Sequence, residues 1–397
     1  WAKKEITPQF QSPIAARDHS FDTQVLLDGN TALAMGIIDA GIKLYSGYPI
    51  TPASSILHVL SQQFSKYGGT VHQAEDEISA IGTVIGSYYA GMPAISATSG
   101  PGFSLKQEFL GLATAAEVPC ILIDVQRGGP STGLPTRTEQ SDLAAAIFGT
   151  HGDNTKIVIS VCDVEDCFYA PHVARYLTET LKVPVIILSD YMSSVSYKVL
   201  DSPKLAVLGD DVNEIPDWIL ERFGLKRLPD NIEMVVHEQS IPGTPEKMRR
   251  VTGLNTDESG HVEYSASSTL RAHEIRNQKI HTVQDSMLEP EIYGDDSGDL
   301  LLVGWGSSRG AIVEAVEMAR AKGQKVSACI LKVVHPLPPQ LAEIGARFKQ
   351  VQSVELSYGD EQRPSPFTML LRSETLLDVR PAITTATGRP IKPIEIF

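Results

Sequence analysis

The chain of 397 residues and 43.1 kDa is long enough for two or three domains with substantial cores. Its formal net charge of -14 makes nucleic acid and anionic membrane poor partners, and no run approaches the ~20 apolar residues of a membrane span. Four cysteines without CxxC spacing (Cys120, Cys162, Cys167 and Cys329) and no apparent secretory signal point to a reducing, cytoplasmic compartment and to a chain that holds no metal cluster by itself.

Residues 1–22 are polar and unpatterned, and are expected to form a linker. Short apolar runs then alternate with helical periods over residues 23–193. TALAMGIIDAG predicts a helix, IKLYSG a strand, ASSILHVLSQQF a helix, and EISAIGTVIGSYYAG an apolar helix with small residues. PAISATSG predicts a strand, FSLKQEFLGLATAAE one helix, and PCILIDV, TKIVISV and VPVIILSD further strands. This alternation predicts an α/β fold with a doubly wound parallel sheet. Residues 194–297 are richer in charge and turn residues and read as an irregular connector or arm. A second α/β unit is expected over 298–397, where DLLLVGWGSSRGAIVEAVEMARAKGQKVSACIL runs strand, Gly/Ser loop, amphipathic helix and strand.

Four segments of the first unit fall at strand ends or helix starts and can converge on one rim of the sheet. GYPITPAS presents Thr51 beside a helix N-terminus, as an anion contact or as a turn and cap. In QAEDEISAIG, Glu75 and Asp76 read as solvent-facing or dipole partners, whereas Glu77 directly precedes the apolar run. Burial there makes Glu77 the acid/base candidate of the three. TSGPGFSL offers Gly100 and Gly102 in a turn that could meet phosphate, without a Walker lysine or a full GxGxxG. The loop VQRGGPSTGLPTRTEQSDL supplies Arg127, able to clamp a carboxylate, with Thr132, Thr136 and Thr138 as hydroxyl donors; the competing reading is a solvated surface loop. GWGSSRG in the C-terminal unit could receive a phosphate or serve as a capped turn.

Together, YPITP, QAEDE with its glycine-spaced helix, TSGPG and RGGPSTGLPTRTEQSDL resemble the α subunit of 2-oxoacid:ferredoxin oxidoreductases, closest to the 2-oxoglutarate branch. The resemblance implies a thiamine-diphosphate pyrimidine-binding domain followed by a transketolase-C-terminal-like domain. The family's activating glutamate precedes a helix glycine by nine residues, which maps it to Glu77 and Gly86, against the aminopyrimidine ring of the cofactor. Tyr48, Pro49, Ile50, Gly100 and Gly102 are implied as cofactor contacts. Thr51 and Arg127 would orient the 2-oxo group and its carboxylate, and Thr136 would lie along the distal part of the substrate.

The GDG motif that holds Mg²⁺ and diphosphate in thiamine enzymes does not occur. A β subunit is therefore implied, sharing thiamine diphosphate at the interface and supplying Mg²⁺ and a [4Fe-4S] cluster, in an αβ or (αβ)2 assembly. Ferredoxin, commonly acidic, would dock on that partner rather than on this acidic chain. The implied reaction is CoA-dependent oxidative decarboxylation of 2-oxoglutarate to succinyl-CoA and CO2, or its reverse, a tricarboxylic acid cycle step. CoA is placed in the cleft between the two α/β units. Two alternatives stay open: the same chemistry on pyruvate or branched-chain 2-oxoacids, and a non-catalytic α/β protein binding CoA or a nucleotide.

Overall fold

The structure, a computed structural model, describes residues 23–230, 240–245, 251–360, 362–384 and 386–397, so the expected linker over 1–22 lies outside the described residues. Its strands are β1 (Gln24–Asp28), β2 (Leu44–Gly47), β3 (Thr70–Gln73), β4 (Ala94–Thr98), β5 (Cys120–Gln126), β6 (Ile157–Ser160) and β7 (Pro184–Asp190). These are followed by β8 (Tyr197–Asp201), β9 (Ile292–Tyr293), β10 (Gly298–Trp305), β11 (Val326–Leu331), β12 (Val333–His335), β13 (Phe348–Glu355) and β14 (Val379–Thr384).

Every residue of β4, β5, β6 and β7 is buried. Continuous burial without alternation is what a parallel sheet covered by helices on both faces requires. The sheet has seven strands in the order β12-β6-β7-β5-β4-β2-β3, parallel except for β12. The helix Val164–Leu181, almost wholly buried, packs on the helix Gly29–Asp39. A buried His172 Nε2–Asp39 Oδ2 contact of 2.8 Å joins the two. The same Asp39 carboxylate accepts the N–H groups of Ala206 and Val207, tying the connector to this helix pair.

The C-terminal unit forms a five-stranded sheet, β14-β13-β10-β11-β9, parallel except for β9. It also gives away a strand: β12 pairs antiparallel with β6 and closes the edge of the first sheet. Ser160 reinforces this seam, its N–H bonding to Lys332 O at 2.7 Å and its hydroxyl to Leu331 O at 3.0 Å. Between the two units, β8 pairs with β1, and the connector includes a 20-residue helix, Ala266–Asp285, capped by Ser265. No described helix is long and apolar enough to cross a membrane.

One expectation changes, and one alternative is decided. FSLKQEFLGLATAAE is two helices, Gly100–Leu105 and Gln107–Ala115, because the backbone tightens at Lys106, whose N–H bonds to Phe103 O. The GWGSSRG loop is a packed turn rather than an open phosphate cradle. Gly306 has φ +61°, and a Cβ there would stand 2.6 Å from Gln140 Nε2. The fully buried Gln140 side chain donates to Trp305 O and accepts from Leu356 N, both at 2.9 Å. Its own N–H adds a 2.7 Å bond to Leu356 O.

Gln140→Leu would leave the Trp305 carbonyl and the Leu356 N–H buried and unpaired. We expect a loss of about 2–4 kcal/mol in denaturant unfolding; unchanged stability would show that the two units dock without this clamp.

Candidate active site

The neighbours β5, β4, β2 and β3 run parallel, so their C-terminal ends share one edge. The four segments singled out above each follow one of these strands, and the edge beyond them is where an open α/β sheet places a ligand. The convergence expected from strand alternation is thus a direct result of strand order.

After β3 come three consecutive acids with three different environments. Glu75 and Asp76 are exposed, and the Asp76 carboxylate caps the helix Glu77–Tyr89 by accepting Ser79 N at 2.7 Å. Glu77 turns inward and is only 8% exposed. Its side chain lies against the turn after β4: an ideal Cβ on Gly102 would sit 2.7 Å from Glu77 Oε1 and 2.2 Å from Thr98 Oγ1. A side chain there would have to push both aside. No hydrogen bond from a described residue reaches the Glu77 carboxylate, and the Thr98 hydroxyl beside it is buried without a partner, as is the Ser99 hydroxyl next in sequence. Gly102 therefore shapes the floor beside Glu77, and Gly100 lies in the same turn.

Arg127, at the end of β5, is 7% exposed rather than solvated. Its Nη1 donates to Thr51 O, which joins the loop after β5 to the turn after β2, while Nε is buried without a partner. Burial draws its pKa below the ordinary arginine value, against the charges of Asp142 and Asp124. Tyr48, Pro49 and Thr51 are exposed and Ile50 is half-buried along the same rim. Asn30, buried in the first helix, holds this turn by donating to Pro52 O at 2.9 Å and Ser55 Oγ at 2.6 Å. The loop itself is folded back: Gly128 N bonds to Arg137 O and Leu134 N to Gly128 O. Glu139 accepts from Gly129 N and Ser141 Oγ.

The hydroxyls of this loop divide. Thr132 and Thr136 are exposed on its outer part. Thr138 is not available to a ligand, a correction to the expectation above: it is 1% exposed and donates to Asp190 Oδ1 at 3.2 Å. The sequence reading also passed over Asp124 and Asp142. Both Asp124 oxygens and Asp142 Oδ2 are buried without a donor, yet the two carboxyls stand within hydrogen-bonding reach of each other. One shared proton satisfies both observations. Burial and the Asp142 charge hold the Asp124 carboxyl well above its usual range. Burial pushes Asp142 up to about 6, helped by Glu139 and opposed by Asp124 and Arg127. Asp142 also sits under the floor of the site, 3.1 Å from where a Cβ on Gly100 would stand.

Asp142 binds its proton more tightly folded than unfolded, so its share of the pair costs stability as pH rises from about 4 through 6, and Asp124, held higher still, goes on costing stability above that. The stability of Asp142→Asn relative to wild type should therefore climb from near zero at pH 4 to about 1–3 kcal/mol above pH 6. A flat difference across pH-dependent thermal unfolding would rule out the shared proton.

Comparison with known proteins places these features. Residues 35–268 match the sequence model of the family described as pyruvate flavodoxin/ferredoxin oxidoreductase, thiamine diphosphate-binding. The 2-oxoglutarate oxidoreductase subunit KorA of Mycobacterium tuberculosis is 38% identical over 91% of this chain and 54% of its own length. The 2-oxoglutarate synthase subunit KorA of Methanocaldococcus jannaschii is 32% identical over 84% of this chain and 88% of its own length. A solved 2-oxoglutarate:ferredoxin oxidoreductase from Magnetococcus marinus, with 2-oxoglutarate, coenzyme A and succinyl-CoA bound, superposes with a TM-score of 0.82. It is 34% identical over 94% of this chain and 66% of that one. A split-gene transketolase, 12% identical with a TM-score of 0.51, shares the fold. The chain spans little more than half the length of some of these relatives, 54% and 58% in two cases. With its glutamate, arginine and glycine floor on one sheet edge, the chain belongs to the family of 2-oxoacid:ferredoxin oxidoreductase α subunits with their thiamine-diphosphate-binding region.

Proposed function

We propose that this chain forms the pyrimidine-binding half of a CoA-dependent 2-oxoglutarate:ferredoxin oxidoreductase. The reaction converts 2-oxoglutarate and CoA to succinyl-CoA and CO2 and passes two electrons to ferredoxin, or runs in reverse. The observation that carries this reading is the Glu77 carboxylate, buried at the rim with no donor from the described residues. An acceptor left open beside the unpartnered Thr98 hydroxyl fits the nitrogen-bearing edge of an aminopyrimidine. Thiamine diphosphate, when bound, supplies the carbanion-stabilising chemistry. Glu77 would hold the ring's nitrogen edge by a hydrogen bond, Gly100 and Gly102 would let the ring approach the backbone, and Tyr48, Pro49 and Ile50 would wall it from the side.

Arg127 is assigned the substrate carboxylate that leaves as CO2. Its Nη1 is anchored on Thr51 O, which orients the fork, and its buried Nε awaits an acceptor. Thr51 is assigned the 2-oxo group, and Thr136 the distal carboxylate that distinguishes 2-oxoglutarate from pyruvate. The metal and diphosphate are assigned to a partner. Among the described residues no group of three or more His, Cys, Asp or Glu is arranged for a metal ion. Tyr48, Ile78 and Leu105 expose large apolar side chains around the Glu77 rim, as a subunit contact would use them. We assign that contact to a β subunit carrying Mg²⁺ and a [4Fe-4S] cluster, in an (αβ)2 assembly on which ferredoxin docks at β. The four cysteines are all free thiols, in keeping with a cytoplasmic setting. Residues 23–193 are taken as the pyrimidine-binding domain, 194–297 as the connector and 298–397 as the transketolase-C-terminal-like domain.

In the assembled enzyme, Glu77→Gln should lower kcat at least ~100-fold with 2-oxoglutarate, CoA and a dye acceptor, the scale of a lost acid/base group. Near-normal turnover would remove the reading. Thr136→Val should lower kcat/KM for 2-oxoglutarate by about tenfold, one hydrogen bond to a charged group, and leave pyruvate within about twofold. Equal effects on both acids would move the specificity determinant elsewhere.

A further inference from the structure

Lys106 is fully buried, and its Nζ donates to the backbone carbonyl of Glu77 at 2.6 Å. No carboxylate among the described residues lies within ion-pair distance of it, although it faces the charges of Glu77 and Asp76 and the thiol of Cys120. A lone buried ammonium is costly, and an apolar side chain of similar length would fill the space at no such cost. Lys106 also lies four residues after Gly102, one turn along the same short segment. Gly102 meets the Glu77 carboxyl and Lys106 holds the Glu77 carbonyl, so one turn of chain grips a single residue at both ends.

We propose that Lys106 is a positioning residue for Glu77: its bond to the Glu77 carbonyl fixes the start of the Glu77–Tyr89 helix and so the direction in which the Glu77 carboxyl faces the cofactor site. The inference rests on the reading of Glu77 as the cofactor-facing acid. The control is itself titratable. Burial draws Lys106 down to about 8, against the pull of the Glu77 and Asp76 carboxylates, while Cys120 stays a neutral thiol because burial pushes it up to about 12. As pH rises through that region the ammonium is lost, and the charge-assisted bond that holds the Glu77 carbonyl weakens.

The test uses the assembled α–partner complex carrying Lys106→Met, Lys106→Arg or Glu77→Gln. Thiamine diphosphate affinity is read by titrating the cofactor-stripped complex, ring protonation by near-ultraviolet circular dichroism of the bound cofactor, and turnover from pH 6 to 10. For Lys106→Met we expect a kcat at least ~10-fold lower, a KM for 2-oxoglutarate within about twofold, and a dichroism signal whose pH midpoint moves by one unit or more. Lys106→Arg keeps the charge at every pH, so turnover near pH 7 should be retained while the alkaline limb near pH 8 disappears. The proposal is overturned if Lys106→Met matches wild type in dichroism and kcat while Glu77→Gln is inactive. It is also overturned if Lys106→Arg keeps the alkaline limb. Normal turnover and dichroism in Glu77→Gln would instead bring down the reading of Glu77 itself.

Discussion

Space is the constraint on which this site depends. The turn after β4 approaches the Glu77 side chain so closely that a side chain at residue 102 would have to displace Glu77 and Thr98. That contact brings the ends of β3 and β4 together, pins Glu77 inward, and leaves its carboxylate without a protein donor. Asp76 makes the arrangement possible by capping the helix itself, so Glu77 is not needed for that task. The positive end of the helix dipole then supports a negative charge at its first residue. Three adjacent carboxylates of similar chemistry acquire three different roles from one helix start.

The loop after β5 is held in a comparable way from below and from the side. Its near end is fixed when Arg127 reaches Thr51, and its far end when Gln140 binds the backbone of Trp305 and Leu356 in the second sheet. The position of the arginine therefore depends on residues more than 160 places away in sequence. The C-terminal unit acts on the site as a brace for the loop.

Much of this was legible in the residues. Runs such as CILIDVQ and PVIILSD are fully buried strands, as unbroken apolar patterns imply. Glu77 stood out because an apolar helix begins directly behind it. The side-chain pairings were less legible. Thr138 and Thr136 are two residues apart in one polar loop, and only the approach of Asp190 separates the structural hydroxyl from the exposed one. Asp124 within CILIDVQ and Lys106 between two helices were the visible anomalies, charges inside apolar patterns, which mark a buried partner or a function. The break at Lys106 and the loan of β12 to the other sheet depend on contacts across the fold, which local periodicity does not encode.

That loan bears on how the chain comes into being. Strand β6 is complete at residue 160, but the strand that covers its edge ends at residue 335. During synthesis from the N-terminus, the first sheet must wait for roughly 175 further residues with a buried-type, aliphatic edge still open. Such an edge is a template for pairing with another nascent chain. The first α/β unit is thus poorly suited to life as a separate fragment. The β12 seam makes the chain one folding unit, finished only when its C-terminal part has emerged.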